Sequence, residues 1–303
     1  MLDFPSCLFV WLRGEEFEEK VMKEEAVITS SLPITSERRF NIGLVLKQML
    51  VSLQSLTWIL AGFSILLAFW GAVSGLSEGA LPGPWATFKV LGKLLSNPFY
   101  DNGPNDKGIG IQLGSSLIRV FIGFGLGSLV AIPAGVLIGA SETCKKLFYP
   151  IVQLLRPVSP LAWFPIGLAV FKHAGEATIF VIFITSLWPT LINTAFGVAS
   201  VPDDHRNVAR AFAFSKTKYL MKILIPFSLP HILTGLRLSI GVAWLVIVAG
   251  EMLSGGIGIG FFVWDSWNAL SLERVMSAIL LIGIVGLLLD RGFDVIARRF
   301  SYA

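Results

Sequence analysis

Runs of some twenty apolar residues recur along this chain, and they limit its fold more than any other feature. Segments at about 54–76, 117–140, 177–200, 231–253 and 275–293 are long enough to cross a hydrocarbon layer, because a helix rises about 1.5 Å per residue and the layer is about 30 Å thick. Only 15% of the residues are charged, against roughly a quarter in soluble domains. With a mean hydropathy of +0.73, too few polar side chains remain to cover a soluble surface. The fold class that follows is an all-α polytopic membrane protein.

A sixth apolar stretch, 148–172, is less regular. It holds Pro150, Pro157, Pro160 and Pro165. Each proline removes a backbone donor and disfavours helix in the residue before it. Non-helical backbone at membrane depth is tolerated where protein or a water-filled cavity surrounds it. The stretch is therefore expected to be broken and to face the bundle interior. About six spans result.

Basic residues collect on one side: Arg38, Arg39, Lys47, Lys145, Lys146, Arg206, Arg210, Lys216, Lys218, Lys222, Arg298 and Arg299. The positive-inside rule then places both termini and the 201–230 segment in the cytoplasm. The net charge of +4 follows from this arrangement rather than from nucleic-acid binding. Residues 1–45 read as a cytoplasmic N-terminal tail, and 46–303 as the transmembrane domain. The tail's apolar stretch is short and an acidic run follows it, so it is not a secretory signal; Met22 is an equally good start. The two cysteines, Cys7 and Cys144, read as reduced thiols.

The outer loop, 77–114, has two parts. Trp85, Phe88, Leu91 and Leu95 share one face of a short interfacial helix, and the turn-rich 97–110 that follows is either a connector or a docking surface. Gly123 with Gly127 and Gly135 with Gly139 form small-xxx-small pairs suited to helix packing. The 254–260 run SGGIGIG lacks the Lys-Ser/Thr of a phosphate loop.

Residues 201–230 form a basic, polar island in this apolar chain. Pro202, Asp203 and Asp204 open a first helix, 203–213, with the acidic side chains at the positive end of its dipole. Ser215 caps a second, 216–225, with Tyr219, Leu220, Ile223 and Leu224 on one face, and Pro226 is expected to stop it. Ala209, Ala211 and Ala213 allow close approach at the corner.

The island resembles the cytoplasmic coupling loop of ABC importer permeases, in which Glu-Ala-Ala, three residues, Gly, nine residues and Ile-x-Leu-Pro follow in order. Here Asn207-Val208-Ala209 takes the triplet, Ala213 the glycine position, and Ile223, Ile225 and Pro226 the close. Over about 80–303, LRPVSPLAWFPIGLA, SLIRVFIGFGLGSLVAIPAGVLIGA and GLRLSIGVAWLVIVAGEML resemble permeases of the nitrate/sulfonate/taurine/bicarbonate group. NPFYDNGPNDKGIG is similar to the cyanobacterial nitrate and bicarbonate permeases.

The resemblance implies the type I importer permease fold in the inner (plasma) membrane. It also implies a homodimer, two cytoplasmic ATP-binding subunits and an extracytoplasmic solute-binding lipoprotein. The chain would bind no cofactor directly, ATP and Mg being used by the partner subunits, and would not be an enzyme by itself. Residues of the coupling island, 201–226, expected to meet the ATPase are Asn207, Val208, Ala209, Arg210, Ala213, Ser215, Lys216, Lys218, Lys222 and Pro226.

The substrate expected is a small oxyanion, bicarbonate or nitrate/nitrite, and RPVSPLAW favours bicarbonate. Charge inside a span marks function, so Arg119, Arg156 and Arg237 are candidates for the pathway, with snorkelling or pairing the alternative for Arg119 and Arg237. Trp163, Phe164 and Trp244 either line or gate the path or pack the core. Glu251 would repel an anion unless paired and reads as a structural partner or gate element. No metal-ligand or hydrolase motif is present. An ion-coupled secondary anion transporter remains the alternative, since broken helices and intramembrane charge suit it too.

Overall fold

The computed structural model describes residues 42–103 and 106–300. Arg38, Arg39, Cys7, Met22 and nearly all of the N-terminal tail lie outside the described residues. Ten helices follow one another: α1 (Ile42–Leu76), α2 (Pro84–Ser96), α3 (Ile109–Ala140), α4 (Glu142–Leu155), α5 (Phe164–Phe171), α6 (Ala174–Ala199), α7 (Asp203–Ala211), α8 (Lys216–Ser254), α9 (Ile259–Asn268) and α10 (Leu272–Phe300). A single 3-10 turn, Pro160–Trp163, joins α4 to α5. Contacts divide the chain at Ile65, and the second unit, Leu66–Ala303, holds all helices after α1.

Among the described residues five helices are long and apolar enough to cross a membrane: Thr57–Leu76 of α1, and α3, α6, α8 and α10. The pair α4 and α5 makes a sixth only as a broken span, bent by 97°. The prolines cause the break: Pro157 and Pro160 remove two donors in four residues, and the chain resumes helix with Pro165 in its first turn. The expectation that this segment faces the bundle interior needs correction within the single chain. Val152, Phe164 and Gly167 are buried, but most of its other side chains are exposed. Two short rods at nearly a right angle offer only one edge each to the neighbouring α6.

The bundle is built on α3, α6 and α8. Glycines set the α3–α6 distance: a Cβ at Gly123 would lie 2.7 Å from the Ile182 side chain, and one at Gly139 2.5 Å from the Ala195 carbonyl. Both small-xxx-small pairs point at α6, where missing side chains let the backbones approach. Between α6 and α8, Ser239 donates to the Ser186 carbonyl (2.5 Å) and meets Thr190 Oγ1 at 2.7 Å. Ile182, Ile240, Trp244, Ile247 and Ile259 fill the core between these helices, α9 and α10.

In α2 Trp85, Phe88 and Leu95 are exposed, whereas Leu91 packs with Leu94 against the core beside buried Thr87. One further expectation is revised. Pro226 does not stop a helix; α8 runs through it from Lys216 to Ser254. Just ahead of the proline the backbone widens into a π turn, Leu220–Leu224, closed by Ile225 N–H to the Leu220 carbonyl. The wider turn absorbs the step in register and the steric demand of the ring, so the helix continues.

Candidate functional site

The island folds as a corner between α7 and α8. Asp203 and Asp204 stand in the first turn of α7, where the unpaired N–H groups favour negative charge. Its end has the two crossed bonds of a Schellman closure: Phe214 N–H to the Ala209 carbonyl (2.9 Å) and Ala213 N–H to the Arg210 carbonyl (3.0 Å). That closure requires a left-handed residue, and Ala213 supplies it with φ of +47°. The glycine of the coupling-loop pattern therefore falls where the backbone asks for one. Ser215 Oγ accepts from Lys218 N–H at 3.3 Å and caps α8. The Lys218 ammonium sits 4.1 Å from the centre of the Phe214 ring, within cation–π range.

The corner has two faces. Asn207, Val208 and Phe212 are exposed on the outer one, Phe212 by 73%. Ala209 is buried, and beside it Arg206, Arg210 and Lys216 line a cleft. Lys222 and Pro226 are exposed on the turns that lead into the span.

The pathway candidates separate into three places. Glu251 is fully buried at the end of α8 and forms an ion pair with Arg119 of α3 at 2.7 Å. Its carboxylate also accepts from the Ser116 hydroxyl (2.7 Å) and from Gly260 N–H (3.0 Å). Around it, Arg119 donates to the Ile257 carbonyl, Gln112 Oε1 accepts from Gly258 N–H, and Ser116 Oγ accepts from Ile259 N–H at 2.9 Å. The cage thus satisfies three orphan donors at the start of α9, the N–H groups of Gly258, Ile259 and Gly260. It leaves no room at Gly258, where a Cβ would lie 2.2 Å from the Glu251 carboxyl carbon.

The second place is the core. Trp244 is buried and donates to the Ile282 carbonyl (2.9 Å), Phe164 is buried, and Trp163 packs against the same cluster. Arg156 stands apart, in a cleft of about 370 Å³ with Tyr149, Gln153 and Pro157. Arg237 is held by two carboxylates of α10, Asp290 (2.7 Å) and Asp294 (2.8 Å).

Sequence reasoning missed Gln112, Ser116 and the glycine turn as parts of the Glu251 cage. The signal was present: Gln112, Ser116 and Arg119 recur at i, i+4 and i+7, a polar stripe on one face of an apolar helix. On the outer loop, Asp101 and Lys107 pair across an antiparallel bridge. The bonded Lys107 ammonium foremost, then Gly103 N–H, hold the Asp101 carboxyl below the usual carboxylate range. Burial foremost, then the neighbouring Asp106, pushes the Tyr100 hydroxyl up. Among the described residues no group of His, Cys, Asp and Glu is arranged to hold a metal.

A family model described as the binding-protein-dependent transport system inner membrane component matches residues 123–302. The chain belongs to that family. Its permeases are inner-membrane subunits of ABC importers, working with ATPase subunits and a binding protein, and are not themselves enzymes. The chain is 47% identical over 228 residues to the nitrate import permease protein NrtB of a Synechocystis species, covering 75% of this chain and 83% of that one. It is 46% identical over 235 residues to the bicarbonate transport system permease protein CmpB of Synechococcus elongatus (77% and 84%). With the taurine transport system permease protein TauC of Escherichia coli it shares 31% over 254 residues (82% and 90%). The fold is that of the permease in an inward-facing structure of the MetNI methionine ABC transporter, with a TM-score of 0.57 at 15% identity, over 62% of this chain and 94% of that one.

Proposed function

We propose that this permease carries a small planar oxyanion, nitrate or bicarbonate, into the cytoplasm, driven by ATP hydrolysed in partner subunits. The single observation that carries the reading is the likeness, at 46–47% identity over three-quarters of the chain, to permeases named for those two anions. The capped corner at 203–219 supports an external motor, since a transporter driven by an ion gradient needs no such paired helix. In this reading both termini and the corner are cytoplasmic. Two copies of the chain sit on two ATP-binding subunits, a lipoprotein delivers the anion from outside, and ATP with Mg is bound by the partners.

The outer face of α7, with Asn207 and Val208, enters a groove of the ATPase. Closure of the ATPase dimer moves the corner and shifts the permease between inward- and outward-open states, so ATP must favour one of them. The exposed flank of the broken span meets the second copy, which places Arg156 between the two. The test is uptake of labelled nitrate and bicarbonate by proteoliposomes holding the permease, its neighbouring ATPase and its binding protein. ATP-dependent accumulation of one anion is expected. Accumulation driven by an ion gradient without ATP would establish the secondary-transport alternative instead.

A further inference from the structure

The cleft on the inner face of the corner has a volume of about 310 Å³. Arg206 and Arg210 of α7 and Lys216 and Tyr219 of α8 converge on it, with Ala209 and Leu224 at its floor. Arg206, Ala209 and Arg210 share one face by the i, i+3, i+4 rule. On that face Ala209 is buried and Arg206 half-buried, with Arg210 exposed at its edge over the cleft, while Asn207 and Val208 are exposed on the outer side. Among the described residues the only carboxylate within 4.0 Å of the three cations is Asp203, at 3.8 Å from Arg206.

The cleft is the last of four that adjoin one another. The cleft of Arg156 shares Tyr149, Val152 and Ile192 with an apolar one beside Lys145. That one shares Gly139 and Ala199 with a third, lined by Glu142, Asp203 and Arg206, which in turn shares Ala140 and Arg206 with the corner cleft. Five cations and two carboxylates stand along this series, and each carboxylate lies nearest a cation, Glu142 at 3.7 Å from Lys145.

We propose that the corner cleft is an anion site: a small oxyanion that has passed Arg156 is held between α7 and α8 by Arg206, Arg210 and Lys216. The proposal rests on the function above for the identity of the anion and the direction it travels. The three cations belong to two helices joined through the Ala213 turn, so a change in the angle between α7 and α8 separates them and weakens the site. The last resting place of the anion is thus built from the element that the motor moves.

The test uses the purified permease–ATPase complex. Acetylation of Lys216 by an N-hydroxysuccinimide ester is followed by peptide mass spectrometry, with Lys218 and Lys222 as references in the same sample. Nitrate, bicarbonate, inorganic phosphate and chloride are compared at matched ionic strength and pH. Nitrate or bicarbonate is expected to slow acetylation of Lys216, relative to Lys218, roughly threefold or more, the scale that exposed charge pairs reach, and Arg210→Gln is expected to abolish the protection.

Equal protection by chloride, or equal slowing of Lys218, means screening alone and overturns the proposal. So does protection by phosphate only, which points to a phospholipid headgroup. A Lys216 that is unreactive in the complex before any anion is added also overturns it, because the ATPase then fills the cleft. Uptake by the wild-type assembly is measured separately, so failure of this site leaves the proposed function standing.

Discussion

Removing the Glu251 carboxylate should be among the most damaging single changes available in this permease, and the structure indicates by how much. Glu251→Ala leaves Arg119 without its ionic partner, at a cost of about 3–5 kcal/mol for a buried pair broken on one side. It also orphans the Gly260 N–H, adding about 1–3 kcal/mol when no water replaces the acceptor. Glu251→Gln keeps one carbonyl acceptor, for Arg119 or for Gly260 N–H but not for both, because these bond different oxygens of the carboxylate, and the donor left unpaired costs about 1–3 kcal/mol. Many buried ion pairs can be exchanged for apolar residues at little cost, but this one also caps α9. The double change of Arg119 and Glu251 to Leu therefore remains destabilising by about 2 kcal/mol, because Gly260 N–H and the Ile257 carbonyl both lose partners. Thermal unfolding of the detergent-purified complex, followed by size-exclusion recovery, should rank wild type, then Gln and the double Leu variant, then Ala. A double Leu variant as stable as wild type would refute the capping argument, and an Ala variant as stable as Gln would refute the ion-pair argument.

Ala213→Gly should raise thermal stability, by about 0.5–1 kcal/mol, because a left-handed alanine is relieved. An unchanged or lower midpoint contradicts the strain. Gly127→Val places a Cβ 2.4 Å from Ser186 Oγ and 2.9 Å from the Phe183 carbonyl, so it should destabilise by about 1–3 kcal/mol through forced separation of α3 and α6, read as lost monodisperse complex on size exclusion. On the outer loop, the lowered Asp101 pKa means that its pairing with Lys107 supports the closed loop fully above the usual carboxylate range. That support is lost as pH falls through the lower folded value, and protection of Gly103 N–H, taken relative to its intrinsic exchange rate at each pH, should fall over the same interval; Asp101→Asn should remove that change in protection.

Much of this architecture was legible because membranes restrict backbones so severely. Five uninterrupted apolar runs became helices, and the paired glycines of α3, Gly123 with Gly127 and Gly135 with Gly139, announced a close neighbour that proved to be α6. The corner was legible too, since Pro202, the two aspartates and Ser215 are local signals that act within a turn. What failed to read depended on partners distant in sequence. Glu251 and Arg119 lie 132 residues apart; the polar stripe of Gln112, Ser116 and Arg119 marks one face of α3 but does not say that Glu251 and a glycine turn would close on it. Trp244 looked the same whether it gated a path or filled a core, and its bond to the Ile282 carbonyl places it in the core. The core-facing side of α2 was not legible, because its buried residue is Thr87 and its neighbour is distant in sequence: Ser277 of α10 donates to the Thr87 carbonyl.

At Pro226 the corner is joined to the span without a break in the helix. A π turn is an α-helix carrying one inserted residue. In α8 it sits between the Ser215 cap and the proline, so the 39 residues from Lys216 to Ser254 act as one rod about 58 Å long, with the corner at one end and the Glu251 cage at the other. Deleting Met221, an exposed residue within that turn, should restore a plain α ladder and remove the accommodation for the proline ring. The ring then meets the carbonyl four residues back, and a kink costing about 3 kcal/mol or more follows. Residues 216–220 also rotate by about 100° relative to the span, carrying Lys216 and Tyr219 off the cleft. The expected result is a complex that still assembles and hydrolyses ATP but accumulates little anion, because the corner no longer moves in register with the cage. Uptake per ATP equal to wild type in that deletion would show that the rod does not transmit the motion, and would place the coupling on α7 and α6 instead.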